Sequence, residues 1–214
     1  MTSATPTGET RIWFIRHGES EANRNLHLVT GRSNHTPLSP AGREQAQALG
    51  NALRECGYQP DAVYASPAVR TVTTADLALQ AMGITDPARL DDRLQELDQG
   101  EWTGLPRDEV YPANQAAIDA AGVNFRPPGG ESMHDVGVRM HDWSLDIARR
   151  LPGGEVLAFT HGVAIRCLIG LEENWPEKRI WQTHTDNTSV TSMLVTDNVV
   201  MLDFHNRNAN DLDS

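Results

Sequence analysis

Short, continuous apolar runs alternate along this chain with longer stretches in which apolar residues recur every three or four positions. Residues 11–15 (RIWFI) are a β-prone run that stops at Arg16-His17-Gly18, the pattern of a buried strand ending in a loop. Ser39-Pro40 supplies an N-cap and a first-turn proline. Ala46, Leu49, Ala52 and Leu53 follow at helical spacing, and Gly57 is a stop. Residues 62–65 predict a second buried strand, and Ser66-Pro67 repeats the helix-start signal for a helix reaching Met82-Gly83. Residues 91–104 are irregular, and Pro127-Pro128-Gly129-Gly130 is the clearest break. Beyond it, residues 131–151 place Met133, Val136, Met140, Trp143 and Ile147 near one helical face. After the turn Pro152-Gly153-Gly154, residues 155–160 (EVLAFT) predict a strand stopping at His161-Gly162, and residues 163–169 a helix. Residues 190–195 and 199–204 read as two strands joined through Asp197-Asn198. Such alternation predicts an α/β fold, a three-layer sandwich with a mostly parallel central sheet and helices on both faces.

The length of 214 residues fits one domain, assigned to residues 11–205, between unordered tails at 1–10 and 206–214. The polar, small residues at the start do not read as a signal peptide. No apolar stretch approaches the roughly 20 residues needed to span a bilayer. With 18 Lys+Arg against 29 Asp+Glu, the formal charge is −11. That argues against a nucleic-acid partner, which calls for a basic face. It leaves room for an anionic small molecule, because arginines focused in a cleft can reverse the field locally. Cys56 and Cys167 lie in apolar helical patterns without a CxxC, as buried reduced thiols. Few cysteines and no export signal place the protein in the cytoplasm.

The candidate chemistry lies where two strands end alike, in an apolar run followed by His-Gly and a helix, at His17-Gly18 and at His161-Gly162. Ligands of open α/β sheets bind outside the carboxyl ends of strands. If the two strands are parallel neighbours, His17 and His161 converge there, and Gly18 and Gly162 let the backbone approach a ligand. Arg16 precedes His17, and Arg70 sits on the first turn after the second strand. Guanidinium groups offer paired donors suited to phosphate oxygens. Two imidazoles with two guanidiniums describe a phosphoryl site. A metal site would want carboxylates or cysteines at ligand spacing, and the chain has no HExxH and no Cys/His cluster.

These residues carry a resemblance. Arg16-His17-Gly18-Glu19-Ser20 followed by Asn23 is similar to the RHGE(S/T)xxN signature of the histidine phosphatase superfamily, the phosphoglycerate mutase-like group. Further blocks follow in order: Gly31 with Pro37-Leu38-Ser39, Ser66-Pro67-Ala68-Val69-Arg70-Thr71, Leu94-Gln95-Glu96 with Gly100-Glu101-Trp102-Thr103-Gly104, Gly129-Gly130-Glu131-Ser132, and Thr160-His161-Gly162. One block alone is weak evidence, whereas six in order are specific. The resemblance implies a phosphoglycerate mutase-like fold and a role for each position. His17 is the nucleophile, Arg16, Asn23, Arg70 and His161 hold phosphate oxygens beside Gly162, and Glu96 gives a proton to the leaving alcohol. It also implies a small phosphorylated substrate, no metal or cofactor, and a homodimer, to which the apolar C-terminal strands also point. A histidine nucleophile needs a neutral ring nitrogen aimed at phosphorus, with the other nitrogen's proton held by an acceptor. The donor must be an acid poised toward neutrality, so Glu96 must sit aside from the arginines or be desolvated.

Two features bear on specificity. The loop from Gly31 to Ser39 is one residue longer than the family's usual segment, with Arg32 where Trp or Gln is common, which makes Arg32 and His35 candidates for a second anionic group. Only 24 residues, 105–128, separate Gly104 from Gly129. So compact an insert resembles the phosphatase branch, since an open site favours hydrolysis of a phosphohistidine. A mutase and a non-catalytic phosphate-binding module are the alternatives. Arg139 and Arg166 read as exposed, salt-bridged helix positions, and His27, His134, His141, His184 and His205 have no motif support. Trp102, Trp143, Trp175 and Trp181 read as packing residues.

Overall fold

A computed structural model describes residues 8–196 and 198–211. Its first strand, β1 (Thr10–Arg16), shows why the fold has three layers. Side chains alternate across a strand. Ile12 and Phe14 point to one face, and Trp13 and Ile15 to the other. The short helix α1 (Glu21–Arg24) is closed by a capping box between Ser20 and Asn23. Helix α2 (Pro40–Glu55) begins where Ser39 Oγ accepts the Gly42 N–H at 3.1 Å. The strand β2 (Ala62–Ala65) and helix α3 (Val69–Met82) follow, α3 ending on left-handed Gly83 (φ 79°). After the two-residue β3 (Arg89–Leu90), residues 91–104 hold two 3₁₀ turns, Asp92–Leu94 and Gly100–Trp102.

The remaining elements are α4 (Arg107–Ala121), α5 (Met133–Arg150), β4 (Glu155–Thr160), α6 (Gly162–Glu172), α7 (Glu177–Gln182), β5 (Val190–Thr196) and β6 (Val199–Arg207). The sheet order is β3-β2-β4-β1-β5-β6. The strands β3, β2, β4 and β1 run parallel, β5 runs antiparallel to β1, and β6 antiparallel to β5. Of the turn predicted between β5 and β6, Asp197 lies outside the described residues. On one face, Ile12, Phe14, Val156 and Ala158 pack against Met140, Trp143 and Ile147 of α5 and Ile165 and Leu168 of α6. On the other, Trp13, Ile15, Leu157 and Phe159 pack against Leu49 and Leu53 of α2 and Ala75 and Leu79 of α3. Burial of each large apolar side chain contributes about 1.5–3 kcal/mol. The helix α4 rests instead on a small separate cluster, Val29, Trp102, Val110 and Ile118 with Tyr111 and Phe125. Among the described residues no helix is long and apolar enough to cross a membrane.

Several expectations change. Ser66-Pro67 does not cap a helix. The N-cap of α3 is Ala68 without a side-chain bond, because the Ser66 hydroxyl is drawn to His161 instead. Thr10, assigned to a tail, opens β1, and its buried hydroxyl donates to Leu151 O at 2.9 Å. At the other end β6 continues to Arg207 and a 3₁₀ turn spans Ala209–Asp211, so residues 206–211 are not an unordered tail. They are held there because Ala209 is buried in the α2–α3 cluster and the Asn206 amide donates to Asp186 at 2.9 Å. Residues 1–7 and 212–214 of the two predicted tails lie outside the described residues. Both cysteines are free, but Cys56, at the end of α2, is only half-buried.

Candidate active site

Because β1 and β4 are parallel neighbours in register, Arg16 opposite Thr160, the next residue of each strand end falls in one place. The imidazoles of His17 and His161 lie there with ring centroids 5.2 Å apart, and both residues are buried. Arg70, in the first turn of α3, is 3% exposed and reaches between them. Its Nε donates to His17 Nε2 at 3.2 Å, and one of its NH₂ groups to His161 Nδ1 at 3.1 Å.

The bonding partners fix both tautomers. Carbonyls only accept and guanidiniums only donate. His17 Nδ1 faces Gly18 O at 2.7 Å, so Nδ1 carries the proton and Nε2 presents its lone pair. His161 Nδ1 accepts from Arg70, so its proton is on Nε2, which donates to Ser66 Oγ at 2.8 Å. Burial, then the positive charges of Arg70 and Arg16, hold His17 well below the ordinary histidine pKa, against the opposing Gly18 bond. Burial and Arg70 do the same for His161. Both rings are neutral at neutral pH.

Arg16 directs one NH₂ group to Thr185 O, while its buried Nε has no hydrogen-bond partner. A guanidinium beside a neutral imidazole suits an anionic group such as phosphate. Gly162 serves this arginine. A Cβ there would stand 3.2 Å from Arg16 Nε. Gly18, expected to approach a ligand, instead abuts the start of α2, where an added Cβ would meet Gly42 O at 2.4 Å.

Glu96 stands on the wall of the same cleft of about 310 Å³. Its carboxylate accepts the backbone N–H groups of Val163 at 3.3 Å and Ala164 at 3.0 Å, in the first turn of α6, and that of Leu97 at 3.0 Å. Among the described residues no salt bridge reaches it, but its charge opposes the burial-driven lowering of the Arg16, Arg70 and Arg166 pKa values, so it stands within the field of the cleft arginines and not aside from them as expected. Asn23 also lines the cleft, with its amide oxygen committed to Ser20 N–H and Oγ, both at 3.0 Å. All seven candidate residues therefore meet in one place. Among the described residues no three His, Cys, Asp or Glu side chains converge as a metal site.

Other residues were misplaced or missed. Arg166 is not on an exposed face. It lines the cleft, donates to Gly162 O at 3.0 Å and Thr183 O at 2.6 Å, and its pKa is lowered by burial. Its spacing of four from Gly162, one helical turn, was the available signal. Arg139 does pair with Glu131, but its side chain is only 15% exposed. Arg32 is not open to a second anion, because Asp98 and Glu131 occupy its guanidinium at 3.4 and 3.0 Å. His35 is exposed and lies outside the cleft. Arg107, Trp181 and His184 form part of the lining, whereas Trp143 is core. Asn187, in a loop without motif signal, donates to His17 O at 2.9 Å.

The family model of the histidine phosphatase superfamily (branch 1) matches residues 12–208. A 2,3-bisphosphoglycerate-dependent phosphoglycerate mutase of Sinorhizobium fredii is 35% identical over 162 residues, 73% of this chain and 76% of that protein. The corresponding mutase of Brucella anthropi is 32% identical over 194 residues, 87% of this chain and 93% of that protein. Among solved structures, a mycobacterial glucosyl-3-phosphoglycerate phosphatase is similar with a TM-score of 0.78 and 25% identity, covering 92% of this chain and 99% of its own.

Proposed function

Because this chain belongs to the histidine phosphatase superfamily (branch 1), whose relatives named above are phosphoryl-transfer enzymes, we propose that it hydrolyses small organic phosphomonoesters through a phosphohistidine on His17. The observation that carries this reading is the His17 ring, neutral, with Nδ1 tied to Gly18 O and Nε2 presented to Arg70 in a cleft walled by Glu96. The substrate phosphate settles between Arg16, Arg70, Asn23 and His161, where guanidinium donors now turned to the imidazoles and to backbone carbonyls face its oxygens. The Nε2 lone pair forms a bond to phosphorus as the bond to the alcohol oxygen breaks. That oxygen leaves with the electron pair and takes the proton of Glu96. Water then attacks the phosphohistidine and gives its proton to the Glu96 carboxylate. The N–P bond breaks, and the neutral imidazole returns. Positioning and charge stabilisation do most of the work in such a transfer.

Phosphoglycerate mutase activity is the second reading, favoured by the names of the curated relatives. The compact stretch 105–128 does not separate the two, since the Brucella anthropi mutase matches across 93% of its own length. What separates them is the fate of the phosphohistidine. The cleft is rimmed by exposed Leu26, 76% accessible, and by exposed Arg107 and His184, so water has a path to the phosphoenzyme. Incubation with 3-phosphoglycerate plus 2,3-bisphosphoglycerate, and with p-nitrophenyl phosphate, in EDTA, with chromatography of products, tests the choice. Phosphate release outpacing isomerisation is expected. Faster isomerisation makes the enzyme a mutase, and absence of turnover on both makes it a binding module.

A further inference from the structure

Behind Glu96 lies a set of charged groups that this reaction does not use directly. Arg139, on α5, donates from Nε and an NH₂ group to the two carboxylate oxygens of Glu131, both at 3.1 Å. This is the paired fork that guanidinium geometry allows. Its other donors reach the backbone of the loop that carries Glu96, to Arg93 O at 2.7 Å and Glu96 O at 3.1 Å. Arg32 reaches the same carbonyl, its Nε donating to Glu96 O at 3.3 Å while its NH₂ groups pair with Asp98 at 3.4 Å and Glu131 at 3.0 Å. Glu131 also accepts the Asp98 N–H at 3.2 Å. The Glu96 carbonyl is thus shared by two guanidiniums, and the loop is held at Arg93, Glu96 and Asp98. Desolvation pushes the Glu131 carboxyl up, but Arg139 and Arg32 outweigh it and hold the group below its ordinary pKa. Neither Arg139 nor Glu131 lines the cleft.

We infer that Arg139 and Glu131 are positioning residues for proton transfer, fixing the Glu96 backbone so that its carboxylate meets the leaving oxygen. The inference rests on the reading of Glu96 as proton donor. A reacting group misplaced by about 1 Å can cost on the order of 100-fold in rate. An ammonium cannot reproduce the fork of a guanidinium, so Arg139→Lys keeps the charge and loses the geometry.

The test compares two leaving groups. Nitrophenolate departs from p-nitrophenyl phosphate without needing a proton, whereas the alkoxide of glycerol 2-phosphate needs one. In Arg139→Lys and Glu131→Gln, the single-turnover rate of the first transfer from glycerol 2-phosphate is expected to fall about 10- to 100-fold with substrate affinity unchanged, while that from p-nitrophenyl phosphate falls less than about threefold. The first transfer is read because the later attack of water, whose proton Glu96 takes, is common to both esters. Glu96→Gln is the control and should show the same selectivity more strongly. If Glu96→Gln is selective but the other two variants slow both probes equally, or neither, the positioning role is overturned and Glu96 remains the donor. If Glu96→Gln itself shows no selectivity, the donor assignment and this inference fall together. Circular dichroism checks folding, and Glu131→Gln carries the comparison if Arg139→Lys does not fold.

Discussion

The two sides of the cleft are built differently. The phosphate side is made from strand ends. His17 follows β1, His161 follows β4, and Arg70 projects from the turn after β2, all bound to a sheet packed on both faces. The leaving-group side is made from loops. Glu96 sits in an irregular segment held by helix N–H groups and a charged network, and the rim near Arg107 rests on the small cluster under α4. The first side therefore draws its precision from backbone pairing, and the second from side chains that substitution can loosen singly.

Substitutions can break that contrast. His17→Ala should give the largest effect, a loss on the order of 10⁴–10⁶-fold in turnover together with acid-labile phosphate incorporation, read by quench-flow labelling. Glu96→Gln should slow the first transfer from alkyl phosphates by about 10²–10⁴-fold while phosphate still binds, measured by single-turnover kinetics. Arg70→Lys keeps a cation but loses the bridge between the imidazoles. A drop of about 10²–10³-fold in kcat/KM for every ester, regardless of leaving group, would mark it as belonging to the phosphate side.

A smaller effect concerns pH. His17 and His161 are neutral in the native state, with pKa values well below the ordinary 6.5. Above that value neither native nor unfolded rings bind protons, and stability is unaffected. As pH falls through it, the unfolded rings gain protons that the native rings do not. Stability should then decline by up to about 1.4 kcal/mol per pH unit for each ring until the lowered native values are reached. Denaturant titrations of the wild type and of His161→Gln would show the slope and its reduction. At the rim, Arg107→Met should have the smallest effect, changing KM for p-nitrophenyl phosphate by less than about threefold if the phosphate side binds the anion alone.

The same contrast explains what could be read from the residues alone. The strand ends were legible because apolar runs punctuated by His-Gly mark both ends of the catalytic pair, and the faces of β1 and α5 follow from period and burial. The loop-built side was less so. Helix α4 carries Pro112 inside it and buries only Val110 and Ile118, so its apolar signal is thin, and α7 has six residues. Arg139 and Arg166 differ from expectation because charged helix positions suggest solvent, whereas here backbone carbonyls and the half-buried Glu131 receive them. Arg32, expected to meet a second anion, is held instead by Asp98 and Glu131 of the chain itself. Ser66 was misjudged because a hydroxyl that suits a helix cap also suits a buried imidazole.

The central place of β1 bears on how the chain comes to fold. Its neighbours on either side are β4 and β5, both from the last third of the sequence. A ribosome adding about 5–20 residues per second needs roughly 7–30 s to deliver the partner strand after β1 has been made. Until then a nearly continuous apolar segment has no partner along either edge. The nucleophile is among the first functional residues synthesised and the last to be assembled, so an interrupted chain would be inert and prone to aggregate.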